Sequence, residues 1–326
     1  MVTGSGSRPV KRRSQAARAA AAAQAPVVQP RLSSAMARIV GPCRWHGSGH
    51  KQEAMTDAMP TLPESEATGA AAGLYADIRD VLGVPVVNLI WRRLAFFPGA
   101  LEWAWSAARP LYASGAADAA AAVIRARTPL PDLPSWPREM LAATGLDDAD
   151  REAIRHMLAS YDRGNRLNLA ALGALLQALE GAPAAGSAPA ASASAARAAV
   201  EGGLPPIPAM DALSPEVQGL VLALNRLGNS GDTVVASLYR HLAWWPGYLA
   251  LAWVQLAALD RDGRLAAMIA GGAEAAQEAS AGLVGGLDLP AEPPPPAVAE
   301  AVGQFVRGPI ARMTPVSLLL LHLLGK

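Results

Sequence analysis

The chain has 326 residues, of which 52% are hydrophobic and 17% charged, a balance that excludes a disordered or fibrous protein and supplies the core of one large domain or two ordinary ones. Aromatic residues make up only 5%, and alanine and leucine dominate the periodic segments, which favours helices over a sandwich or barrel. Cys43 is the only cysteine and the formal charge is +1, so an internal disulfide, a paired-cysteine redox centre and a thiolate zinc cluster are excluded.

The charge is unevenly placed. Residues 1–54 carry nine basic residues against the single acid Glu53 (+8), whereas the rest carries 19 basic and 26 acidic residues (−7). Residues 1–58 read as a Pro/Gly/Ser-rich basic arm: either a targeting extension, or sequence upstream of a true start at Met55 or Met59, which is the expectation preferred here. Nucleic-acid binding would rest on this arm alone, because the body has no basic stripe or aromatic platform.

Helices are then predicted in order over Leu62–Val81 (ending near Gly83), Val86–Phe97, Ala100–Arg109 (with Pro110 as its stop or kink), Asp118–Arg127, Asp147 or Asp148 to Ser160, and Leu167–Leu179, with a break at Gly164-Asn165. Residues 181–205 form an Ala/Ser/Pro linker between a first lobe, 59–180, and a second, 206–326. The second lobe is expected to hold helices Glu216–Leu227, Val234–Trp245, Tyr248–Leu259, Gly263–Ala281, Val298–Phe305 and Pro315–Leu324. The uncharged run Leu242–Leu259 reaches the lower limit for a membrane span, but its Trp, Pro, Gly and Gln content fits a helix buried in a bundle better.

The lobes echo each other. Phe97-Pro98-Gly99 with Trp105 matches Trp245-Pro246-Gly247 with Trp253 at an offset of 148 residues, Arg92-Arg93-Leu94-Ala95 resembles Arg240-His241-Leu242-Ala243 at the same offset, and Tyr161-Asp162-Arg163-Gly164 resembles Phe305-Val306-Arg307-Gly308 at 144. Ordered matches at nearly constant spacing point to a duplicated unit and a pseudo-twofold pair of lobes. The fold class expected is all-α.

The catalytic inventory is thin. The five histidines form no HExxH pair, no acidic cluster has metal-ligand spacing, and there is no GxSxG elbow, phosphate loop or dinucleotide turn, so neither a metal nor a cofactor is expected. What remains are polar residues in apolar surroundings: Asn88, Asn165, Asp232 and Ser237. Each has a structural reading as well as a functional one: a packed amide, a turn residue, an N-cap and a serine bonded back within its helix. Ser237 and His241, four residues apart, can be neighbours on a helix face.

From about Leu62 to the C-terminus, the ordered motifs Leu74-Tyr75-Ala76-Asp77-Ile78-Arg79, Val84-Pro85, Phe97-Pro98-Gly99 with Ala104-Trp105, Tyr161 with Gly164-Asn165, Glu216-Val217-Gln218-Gly219-Leu220 and Trp245-Pro246 resemble the group I 2-haloacid dehalogenases. That family acts on D and L substrates and is built from two helical pseudo-repeats within the alkylhydroperoxidase-like superfamily. The resemblance implies a site between the lobes in which an aspartate activates a water that attacks the halogen-bearing carbon directly, with inversion and no covalent ester. It places Asn165 on the residue that holds the water, Ser237 on the serine before the catalytic aspartate, and Val86 and Leu89 on aromatic pocket positions; Asn88, Tyr161 and Leu238 complete the expected substrate-binding wall. It also implies a cytoplasmic homodimer acting on a small carboxylic acid. Thiol-based peroxide reduction, the superfamily's other chemistry, needs cysteines that the body lacks.

One position departs from the pattern. Counting back from Trp245-Pro246, the aspartate's place is held by Leu238, which has no group to accept a proton. Two expectations follow: Asp232, six residues upstream, takes over as base, or the scaffold binds or converts a small carboxylic acid without dehalogenation, or has lapsed as a catalyst. Six residues of continuous helix span about 9 Å and change face, so the first needs an altered start to that helix.

Overall fold

Runs of alanine and leucine at helical spacing become helices along the whole body of the chain. The computed structural model describes Met1 and residues 59–183, 203–228, 231 and 234–325, and these contain twelve α-helices, two 3-10 turns and no strand. The protein is all-α.

The first six helices are α1 (Gly69–Leu82), α2 (Leu89–Leu94), α3 (Ala100–Ala113), α4 (Ala116–Arg127), α5 (Arg138–Ala143) and α6 (Asp148–Leu179). After them come α7 (Pro215–Arg226), α8 (Ser237–Leu242), α9 (Pro246–Arg261), α10 (Arg264–Ala281), α11 (Pro296–Arg307) and α12 (Pro309–Leu324).

Several boundaries differ from expectation for identifiable reasons. The helix expected from Leu62 starts only at Gly69, because Leu62 is used as a strap: its N–H donates to the Arg92 carbonyl (3.0 Å) and its carbonyl accepts from the Tyr75 hydroxyl (2.9 Å). Val86 and Val87 stay outside α2 because Glu64 Oε1 takes the Val87 N–H at 2.7 Å, a bond a helix would compete for. Pro110 does not end α3, which runs to Ala113; the carbonyl it leaves without a donor belongs to Ser106, which faces solvent. Pro315 likewise lies inside α12, which begins six residues earlier at Pro309. Gly164-Asn165 does not break α6, which is continuous over 32 residues and starts from a reciprocal capping box between Asp147 and Asp150.

Two hydrophobic cores result, and they cross the boundary between the sequence halves. The first joins α1–α4 to the C-terminal half of α6 (Leu167–Leu176), to α11 and to Ile310 and Ala311 of α12. The second joins α5, the N-terminal half of α6 (Ile154–Tyr161) and α7–α9 to Leu265 and Met268 of α10 and Met313–Leu324 of α12. α6, α12 and, through Ala276 as well as Leu265 and Met268, α10 therefore belong to both, and the site described next lies where α6 and α12 pass from one core to the other. Among the described residues no helix is long and apolar enough to cross a membrane.

Candidate active site

Two short helices and the middle of the longest one meet at a cavity of about 50 Å3, in a measure where one water needs roughly 10–15 Å3. Segment 86–90 and Arg92 form one wall, Tyr161 and Asn165 of α6 the second, Ala236–Leu238 the third, and Phe305, Pro309, Ile310 and Met313 the fourth, with Ile207 at the edge.

Each segment is held in place by a polar clamp. Glu64 fixes Val87 through its N–H, and Arg79 holds the other carboxylate oxygen. Trp91 donates its indole N–H to Asn168 Oδ1 (3.1 Å), which also accepts from the Tyr112 hydroxyl (3.0 Å), tying α2 and α3 to α6. On the opposite side Asn225 of α7 accepts the Ala236 N–H (3.0 Å) and donates to the Val234 carbonyl (2.9 Å), which positions the entry to α8. The strap around residues 205–208 is pinned to α8 and its end by His241 Nε2, Arg240 and the Trp244 indole, donating to the carbonyls of Pro205, Pro208 and Pro206.

Asn165, Ser237, Val86, Asn88, Leu89, Tyr161 and Leu238, singled out from sequence, all line this one cavity. Asp232 lies outside the described residues. Three polar atoms around the cavity are buried without a hydrogen-bond partner among the described residues: Asn88 Oδ1, Asn165 Nδ2 and Arg92 Nε. Orphaned buried groups are costly and call for a polar occupant.

Gly164 has a use that its reading as a helix breaker missed. A Cβ there would lie 2.9 Å from both Nδ2 and Oδ1 of Asn88, so the glycine lets the Asn88 amide rest against α6 beside Asn165. Ser237 and His241 do not pair. The Nδ1 of His241 meets the Tyr161 hydroxyl at 3.2 Å and its Nε2 meets the Pro205 carbonyl at 2.7 Å; with Nε2 carrying the proton, Nδ1 accepts from Tyr161. Burial lowers the His241 pKa to about 4 and raises that of Tyr161, so the pair is neutral and makes a weak base at neutral pH.

The other acids near the family-like segments are engaged elsewhere. The Arg109 guanidinium and then the Trp105 indole hold the Asp77 carboxyl below its usual range against the opposing pull of burial, and Asp162 is gripped by Arg125 and Arg166. No described residue lining the cavity is an Asp or Glu.

Sequence reasoning missed the other nine lining residues, among them Arg92, Phe305, Pro309, Ile310 and Met313. Signals for two of them were present. Arg92 follows Asn88 by one helical turn, and Phe305 corresponds to Tyr161 at the 144-residue offset. Leu89 with Ser237 and Ile90 with Leu238, each 148 apart, also line the cavity as pairs. The pairs differ in polarity, however: Asn88 is offset-paired with Ala236, Tyr161 with Phe305 and Asn165 with Pro309, while Leu89 with Ser237 runs the other way.

No protein-family model matches the chain. Over 201 residues, 59% of its length, it is 32% identical to a configuration-inverting 2-haloacid dehalogenase of Alcaligenes xylosoxydans xylosoxydans and 29% identical to one of Pseudomonas sp. (strain 113). The chain belongs to the group I 2-haloacid dehalogenase family. The matched span covers 66% and 64% of the length of those two relatives, and an (R)-2-haloacid dehalogenase of Pseudomonas putida is 28% identical over 111 residues. A solved D-2-haloacid dehalogenase mutant in complex with D-2-CPA shares the fold of this family member at a TM-score of 0.60 and 19% identity, covering 81% of this chain and 94% of that one.

Proposed function

We propose that this family member hydrolyses the carbon–halogen bond of short 2-halocarboxylic acids by direct attack of water. The observation that carries the reading is the buried, unpartnered Asn165 Nδ2 in a cavity that also presents Asn88 Oδ1 and Ser237. One amide offers a donor and the other an acceptor, so together they suit a water, while the apolar walls keep bulk solvent from it. Water oxygen bonds to C2, the halide leaves with the bonding electrons, and the water's proton passes to a carboxylate and then to solvent, giving a 2-hydroxy acid. In this proposal the base is Asp232, and the enzyme is a cytoplasmic homodimer that needs no cofactor.

A second reading is favoured by one observation: Leu238 presents an alkyl side chain and the described wall contains no acid. The cavity then binds a small carboxylic acid without dehalogenating it. Halide release from 2-chloropropionate and bromoacetate separates the two. The first expects release by the wild type and its loss in Asp232→Ala. The second expects none from the wild type at high enzyme concentration and a gain in Leu238→Asp, which returns a carboxylate to the cavity.

A further inference from the structure

The only charged residue among those described at the cavity is Arg92, whose guanidinium has no ion-pair partner and whose side-chain nitrogens make no hydrogen bond among the described residues. Its Nε is buried. The residue as a whole is half-buried, so its buried Nε has lost water without gaining a partner, and an anion in the cavity could supply one. Among the described residues lining the cavity there is no such anion. Glu64, the acid acting with Arg92 on Tyr75, already has one oxygen on Arg79 and the other on the Val87 N–H.

The offset counterpart sharpens the contrast. Arg240 stands where Arg92 would fall 148 residues on, yet it does not line the cavity and gives Nε and Nη2 to the Pro208 carbonyl at 3.3 and 3.0 Å. Arg92 has neighbours of a different kind. Its charge acts on the hydroxyls of Tyr75 and Tyr161, both neutral through burial, which leaves it a donor among groups that do not neutralise it. It sits three and four residues after Leu89 and Asn88, so the guanidinium shares a helix face with the residues that open the cavity.

We propose that Arg92 is the carboxylate anchor of this site and restricts it to short monocarboxylates, excluding neutral amides and esters of the same shape. A guanidinium offers two parallel N–H donors that match a carboxylate, and it would hold C2 toward Asn165. This rests on the acid-binding part of the proposed function and is independent of which group, if any, acts as base.

Isothermal titration and thermal shift of the full chain with 2-chloropropionate, lactate and 2-chloropropionamide test it. The wild type is expected to bind both acids and to bind the amide about tenfold or more weakly, as expected for hydrogen bonds to a charged group. Arg92→Met, folded as judged by its unliganded melting temperature, is expected to lose that preference, with Arg92→Lys in between; if Met does not fold, Lys and the wild-type comparison carry the test. For any turnover, the loss should fall on KM more than kcat. Equal binding of acid and amide by the wild type, or unchanged acid affinity in the variants, overturns the anchor while leaving acid binding intact. Binding of neither acid by the wild type overturns the functional reading beneath it.

Discussion

His241 is fully buried, with both ring nitrogens engaged, and its pKa falls from 6.5 to about 4 because burial disfavours the cation. The unfolded chain therefore binds more protons than the folded one between those values. The stabilisation from keeping this imidazole neutral is present above pH 6.5 and is lost as pH falls toward 4, by about 3 kcal/mol in all. In urea titrations the stability advantage of the wild type over His241→Gln should shrink across that window; a difference independent of pH would contradict this account. His241 also shows what a sequence conceals about single residues. Its spacing suggested Ser237, four residues before it, but the partner is Tyr161 on another helix, 80 residues away. Asn88 and Asn165 were legible as polar residues in apolar runs, whereas Arg92 figured only in the repeated Arg92-Arg93-Leu94-Ala95 motif, and its place in the cavity wall came from the tertiary structure.

At the scale of elements, α6 and α10 approach closely enough that side-chain volume at their crossing decides the fit. A Cβ on Gly173 would overlap Ser280 Oγ and lie 3.1 Å from Ser280 Cβ, and that serine donates to the Leu169 carbonyl at 3.3 Å. Gly173→Ala should cost about 1–3 kcal/mol, as overpacking does, and much less in a Ser280→Gly background. Equal costs in the two backgrounds, measured by denaturant unfolding, would show that the helices have room to move apart. Helix existence was readable because Ala/Leu periodicity is local; helix ends were less so. Gly164 and Pro110 carry the local chemistry of helix breakers, yet both lie inside helices: one makes room for Asn88, and the other leaves its unmatched carbonyl in water.

For the molecule as a whole, the sharing of α6 and α12 between the cores has a mechanical consequence. Neither core keeps its full set of helices if the other opens, so the body should unfold in one cooperative step. Hydrogen exchange should give the slowest amides of α3, in the first core, and α9, in the second, a common opening free energy. Exchange of α9 while α3 stays protected would refute this coupling. The all-helical class, the paired motifs and seven of the sixteen cavity residues were legible in the sequence alone, because periodicity, Pro-Gly punctuation and motif order are properties of neighbouring residues. Only the tertiary structure decided that the two cores share helices, and that Arg92 lines the cavity without a counter-ion among the described residues. Those features depend on which distant side chains complete or fail to complete one another's hydrogen bonds and charges, and that is settled when α2, α6, α8 and α12 pack together.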